Sequence, residues 1–244
     1  MLKLLVVSEC DVMISLTPRL QAVADMVKTD SITDVGTDHG KLPVYLALSG
    51  KIVKAIASDL NDGPLKGCML NVDKFGLSDI IDVRLSNGLN NFRLSETKTL
   101  CIAGMGGELM SNILLKDIDI ARGFDEIILQ PMTQIEHLKA FLYDSGFSLL
   151  DEVLVAEGDK LYDIFKVKYT GEQKSYTQIE LLVSDVLIDK KDFLLYKYTE
   201  KIIKRYKNIL NGLKNSDIVD EKQYELYNDL LCEVKKINEI AKTY

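Results

Sequence analysis

The stretch Thr33-Asp34-Val35-Gly36-Thr37-Asp38-His39-Gly40-Lys41-Leu42-Pro43 sets two glycines after a short apolar run, with an acid between them. Gly36 and Gly40 allow the backbone to turn sharply and approach a ligand, as in a nucleotide-binding turn. A carboxylate at Asp38, however, repels a diphosphate. It suits a ligand with a cationic centre and an ammonium group, and S-adenosylmethionine has both. The competing reading is a closed loop in which Asp38 only accepts backbone N–H bonds.

Further along the chain, other chemistry-bearing groups follow apolar runs. Ala55-Ile56-Ala57-Ser58-Asp59 ends on an acid at the distance from Gly40 where a carboxylate binds ribose hydroxyls. Asn61-Asp62-Gly63-Pro64 follows, so Asp59 also reads as a helix cap. Ser86-Asn87-Gly88 offers an amide for an adenine edge. Cys101-Ile102-Ala103-Gly104-Met105-Gly106-Gly107 carries three glycines in four residues, which implies bare backbone against a neighbour. Gln130-Pro131 closes the next run. His39 either hydrogen-bonds a ligand or is a satisfied loop residue, His137 reads as helix surface, and Cys101 as strand core.

These motifs need a scaffold that brings strand ends together. Short β-branched runs at Ile32–Val35, Val53–Ser58, Ile80–Leu85, Leu100–Ala103 and Glu126–Leu129 are separated by helix-length segments. That spacing predicts βαβ crossovers and a parallel sheet, an α/β fold whose ligand crevice lies at the carboxyl edge. Ser148–Ala156 and Leu161–Tyr169, joined by Glu157-Gly158-Asp159-Lys160, predict a closing antiparallel hairpin. Thr17-Pro18-Arg19 opens a helix to about Val27, and a helix is expected over Leu109–Leu115. Beyond Thr170, helices are predicted over Gln178–Leu187, Phe193–Leu213 and Glu221–Ala241, the last two forming an antiparallel hairpin through Asn215-Ser216-Asp217. The expected organisation is an extension over 1–12, a catalytic domain over 13–170 and a helical appendage over 171–244. Met13 leaves open whether translation starts there or the first residues form a disordered leader.

Composition narrows the partners. The 244 residues carry a net charge of −7 and 47% hydrophobic side chains. No apolar run approaches the roughly 20 residues of a membrane span. Four scattered cysteines without a CxxC pair favour reduced thiols in a cytoplasmic protein, and two histidines argue against a histidine-based metal site. Residues 171–244 hold 13 basic and 13 acidic side chains, so 1–170 carry the whole negative excess. Within 190–214, eight basic side chains face two acidic ones. Lys197, Lys201 and Lys204 share a helical face, with Arg205 and Lys207 nearby and Tyr196, Tyr198 and Tyr206 interleaved. This reads as a nucleic-acid surface or as the solvated side of a helical hairpin.

Taken in order, DVGTDHGKLP, AIASDLNDGP, SNGL, IAGMGG, LQP and KLYDIFKV resemble the bacterial TrmK family, S-adenosylmethionine-dependent tRNA methyltransferases acting on N1 of adenine 22. The resemblance runs from about Ile14 to Tyr169, and a coiled-coil-like tail is also typical of the family. It implies a class I, Rossmann-like methyltransferase sheet with a helical hairpin, a tRNA partner and no metal; a monomer is expected. By the same resemblance, Gly36, Asp38, His39, Gly40, Leu42 and Pro43 belong to the first cofactor loop, and Asp59 takes the ribose where many relatives have Glu. Asn87 and Gly88 flank the cofactor's adenine. Ala103, Gly104, Met105 and Gly106 face the methyl group and target base, Asp38, Gly104 and Met105 being the catalytic candidates, and Arg19 lies beside the site. A small-molecule methyltransferase and a non-catalytic adaptor with a decayed site remain as alternatives.

Overall fold

The computed structural model describes residues 14–215 and 221–244. The expected extension over 1–12, Met13 and most of the expected turn at Asn215-Ser216-Asp217 lie outside the described residues.

Seven strands form one sheet: β1 (Ser31–Val35), β2 (Lys54–Asp59), β3 (Ile81–Leu85), β4 (Thr99–Gly106), β5 (Glu126–Thr133), β6 (Phe147–Glu157) and β7 (Lys160–Tyr169). Their spatial order is β3-β2-β1-β4-β5-β7-β6. The first five are parallel, and β7 runs antiparallel to both β5 and β6. Every residue of β1 is buried, as a central parallel strand requires. Between β1 and β4 the chain order reverses, which opens the crevice at their carboxyl ends.

The helices begin where local chemistry favours them. In α1 (Pro18–Met26), Thr17 Oγ1 accepts the Leu20 N–H at 3.4 Å and Pro18 takes the first position. Helix α2 (Lys41–Leu48) starts from Gly40 in the left-handed region, φ 68°. Helices α3 (Asp62–Lys74), α4 (Gly107–Lys116), α5 (Ile118–Arg122) and α6 (Ile135–Asp144) complete the crossovers.

Two expectations change. No helix joins β3 to β4 among the described residues. This link is rich in turn formers, including Asn87-Gly88 and Asn90-Asn91, and a bidentate Arg84–Glu96 pair (2.9 and 3.0 Å) ties it to β3. The helix expected over Gln178–Leu187 is two: α7 (Gln178–Leu182) and α8 (Asp185–Asp189). Ser184 breaks the run by capping Leu187 N–H while its hydroxyl donates to the buried Glu152 carboxylate.

Helices α9 (Leu195–Lys214) and α10 (Glu221–Ala241) form the antiparallel hairpin: Asn238 donates to Tyr196 and Thr199, and Tyr206 packs on Tyr227. It is docked on the sheet rather than free, with Leu154 of β6 sharing a core with Leu187, Leu195 and Tyr198. Beneath this core lies a buried ion cluster. Lys139 Nζ on α6 donates to Glu152 Oε1 at 2.6 Å and to Asp163 Oδ2 at 3.3 Å, and Tyr198 donates to Asp163 Oδ2 at 3.4 Å. The charged members are no more than 1% exposed. Removing one partner from such a cluster strands the others without water. Lys139→Ala should therefore lower unfolding free energy by about 3–5 kcal/mol, read from urea denaturation.

Candidate active site

The carboxyl ends of β1, β2 and β4 enclose a cavity of about 280 Å³. Asp34, Asp38 and Asp59 line it, with Arg19, Gly36, Leu42 and the segment Ala103–Met105. A larger groove of about 740 Å³ between α9 and α10 is lined by Lys204, Lys207, Glu200, Glu239 and amide side chains, and no strand end reaches it.

The glycine turn works by contact as much as by conformation. At Gly36, φ is +78°, and an added Cβ would sit 2.0 Å from Met105 Cε. Met105 therefore closes on the backbone of the first motif, joining the ends of β1 and β4. Gly104 is also left-handed, φ +81°. Its N–H donates to Gln130 Oε1 at 3.0 Å, and Arg19 Nη1 donates to the same oxygen at 2.5 Å. The Gln130 amide nitrogen donates to Pro131 O at 2.9 Å, so this wholly buried side chain positions β4, β5 and α1 together. The glycine-rich segment is bare for two reasons. At Gly107 a Cβ would meet Gln134 O at 2.2 Å, so that glycine accommodates the neighbouring turn and not a ligand.

Among the expected residues, Arg19, Gly36, Asp38, Leu42, Asp59, Ala103, Gly104 and Met105 line the one cavity. His39, Gly40, Pro43, Asn87, Gly88 and Gly106 do not. Gly40 supplies the turn, and a Cβ there would lie 2.5 Å from Cys68 Sγ. Pro43 is buried in α2. The His39 ring lies against Gly67 of α3, and its carbonyl accepts Asn71 Nδ2 at 2.8 Å. Asn87 and Gly88 follow β3, where a Cβ on Gly88 would touch Ile113 Cγ2 at 3.4 Å, and Gly106 abuts Thr133. Asp38 is 66% exposed and pairs with Lys41 at 2.9 Å. Asp59 lines the cavity and does not cap α3, whose N-cap is Asn61; its Oδ1 accepts the Asn61 N–H at 2.8 Å in the turn before that helix. His137 is exposed, and Cys101 is core, its thiol held far above the ordinary range by burial.

The basic helix divides. Lys197 and Lys201 flank the β6–β7 turn, whereas Lys204 faces the groove between α9 and α10. Arg205 is held by Glu136, so it ties the hairpin to α6. Tyr198 and Tyr206 are buried and Tyr196 donates to Glu200, so these rings pack the hairpin instead of lining a surface.

Asp34 and Gln130 are not among the expected site residues. Asp34 is buried and accepts Thr37 Oγ1 at 2.7 Å. Burial pushes its carboxyl up to about 6; the Thr37 hydrogen bond opposes that rise, and the charges of Asp38 and Asp59 add to it. Three acids around one cavity make a site that gains from a cation.

A methyltransferase domain is the class this sheet and strand-end cavity define, and the family model of that description matches residues 16–165. Over 195 residues the chain is 34% identical to the tRNA (adenine(22)-N(1))-methyltransferase of Bacillus subtilis (strain 168), spanning 78% of this chain and 82% of that one. The chain belongs to this tRNA (adenine-22-N1)-methyltransferase family. A Streptococcus pneumoniae structure in complex with S-adenosyl-L-methionine superposes with a TM-score of 0.79 at 28% identity, covering 92% of this chain and 100% of that chain. The M. capricolum TrmK structure with S-adenosyl-homocysteine gives 0.76 at 26% identity, covering 93% and 99%.

A raised carboxyl pKa favours the folded state below the unfolded value of 3.8, and that advantage is lost as pH rises through about 6. Asp34→Asn keeps an acceptor for Thr37 but cannot ionise. Relative to wild type, the variant should gain stability between about pH 4 and about pH 7.5, by up to roughly 3 kcal/mol in paired urea titrations of the ligand-free protein.

Proposed function

We propose that this chain transfers a methyl group from S-adenosylmethionine to N1 of adenine 22 in tRNA, in the cytoplasm. The observation carrying this reading is the single cavity that joins three carboxylates to the Gly104-Met105 backbone at its rim. The donor set fits the cofactor: Asp34, Asp38 and Asp59 complement a sulfonium and an ammonium group, and the left-handed, side-chain-free Gly36 lets Met105 close on the turn beside them. When bound, S-adenosylmethionine supplies an electrophilic methyl group.

The residues divide the remaining work. Asp59 accepts the ribose hydroxyls, Leu42 forms an apolar wall, and Asn87 with Gly88 lies towards the cofactor's adenine. Gly40, His39 and Pro43 shape the turn that presents Gly36. Adenine N1 already carries a lone pair, so the protein must position the base rather than deprotonate it. Met105 offers an apolar surface to the base, and Gly104 offers its carbonyl, its N–H being held by Gln130. Gln130 acts through others, fixing the Gly104 N–H and Arg19. The negative charge of Asp38 at the cavity mouth offsets the positive charge that adenine acquires. Residues 171–244 hold the RNA: Lys197, Lys201 and Lys204 form no salt bridge among the described residues, which leaves them for phosphates.

The decisive experiment is nucleoside mass spectrometry of tRNA after incubation with the protein and methyl-labelled cofactor. The expected product is labelled 1-methyladenosine, absent when position 22 is guanosine; unlabelled tRNA with adenine at that position would overturn the assignment. Asp59→Ala should weaken S-adenosylmethionine binding by about 1.5–3 kcal/mol in calorimetric titration. Asp38→Asn should slow single-turnover methylation by less than the about 100-fold typical of a buried, preorganised donor, because Lys41 and solvent screen this carboxylate. The double reversal Lys201→Glu with Lys204→Glu should weaken tRNA binding and flatten its dependence on salt, the log–log slope falling by roughly 0.9 for each phosphate no longer neutralised.

A further inference from the structure

A second cavity, of about 340 Å³, lies against the first. The partition between them is thin. Arg19 lines the cofactor-side cavity, and its guanidinium sits over the ring of Tyr162, 5.5 Å to the centroid, while Tyr162 lines the second. Gln130, which binds Arg19 on one side, donates on the other to Pro131 O and to Met132 Sδ at 3.6 Å, and both those residues also line the second cavity. Helix α9 closes it with Lys201, and the start of β7 contributes Lys160.

The lining has two chemistries. Met132 and the Tyr162 ring are apolar and aromatic. Lys160 and Lys201 are exposed ammonium groups without a salt bridge among the described residues. Asp163 also reaches the wall, but its side chain is fully buried and engaged by Lys139 and Tyr198, so it offers the cavity no carboxylate. A flat ring and an anion together satisfy this set, and a nucleotide carries both: a base to pack on Met132 and Tyr162 and a phosphate for the two lysines. The volume lies within the roughly 300–1,000 Å³ of small-ligand sites.

We infer that this cavity is a subsite for a nucleotide flanking the target adenine in the RNA. The inference rests on the tRNA methyltransferase reading, since the adjoining cavity is what brings RNA here. Enzymes acting on an extruded base commonly read its neighbours as well, and Lys160 and Lys201 also line the groove beside Lys197, which gives the strand a path out towards the hairpin.

The test uses the full chain with 13C-methyl methionine, saturated with S-adenosylhomocysteine so that the first cavity is filled. AMP, CMP and UMP should shift the Met132 methyl resonance saturably, inorganic phosphate much less, and Lys160→Ala should weaken the AMP response several-fold. An unmoved Met132 methyl, or one answering equally to phosphate alone, overturns the subsite. In a second test, Met132→Trp fills the cavity without altering charge. It should lower kcat/KM for tRNA at least tenfold with S-adenosylmethionine affinity unchanged; unchanged kcat/KM in this variant also overturns the proposal. A wild-type chain inactive on tRNA, with Met132 still answering AMP over phosphate, would overturn the tRNA reading and leave the nucleotide site standing.

Discussion

A fully buried ammonium group must be neutralised where it lies, and Lys139 imposes that demand on four parts of the chain. Its carboxylate partners come from β6 and β7, Ser184 before α8 occupies the remaining Glu152 oxygen, and Tyr198 of α9 shares Asp163. Hydrophobic residues could fill the same volume with comparable stability. They would not demand one register between sheet and hairpin. The ionic solution requires each element to arrive in one position, and the burial of Leu154 against Leu187 and Leu195 follows from it. The free lysines of α9 thereby stand beside the carboxyl edge of the sheet.

Gln130 performs the corresponding task at the site with a neutral group. One amide oxygen accepts from Gly104 and Arg19, and the amide nitrogen satisfies the Pro131 carbonyl. A carboxylate would keep the acceptor and lose the donor; an aliphatic residue would leave the Gly104 N–H and Arg19 unmatched. The cofactor-side cavity and the nucleotide subsite share this partition, so the chemistry of both depends on a residue that contacts neither reacting group.

The sheet is readable from sequence because strand periodicity, glycine at strand ends and the Glu157–Lys160 turn are all local signals. The β3–β4 link misleads because its length suggests a helix, although its turn residues argue otherwise. In the site, Gly36, Asp59 and Gly104 announce themselves by type and position. Asp34 does not, since within Thr33-Asp34-Val35 it looks like a strand residue, and its importance arises from burial beside two other acids. Gln130 is visible only as a strand end; its bonds reach partners 26 and 111 residues away. The tyrosines of α9 are ambiguous for a related reason: interleaving with lysine is equally the signature of an amphipathic helix whose apolar stripe is packed.

The absence of a side chain at Gly107 has a mechanical meaning. There α4 touches the turn into α6 backbone to backbone, close enough that a methyl would collide with Gln134 O. Side chains between packed helices can change rotamer and absorb small movements; two peptide groups in contact cannot. Helix α6 carries both Lys139 and Glu136, the anchors of the hairpin, and α4 continues directly from the Gly104–Gly106 segment. The hairpin's two anchors on α6 are thereby joined, through α4, to the Gly104–Gly106 edge by a backbone contact in which no rotamer can take up slack.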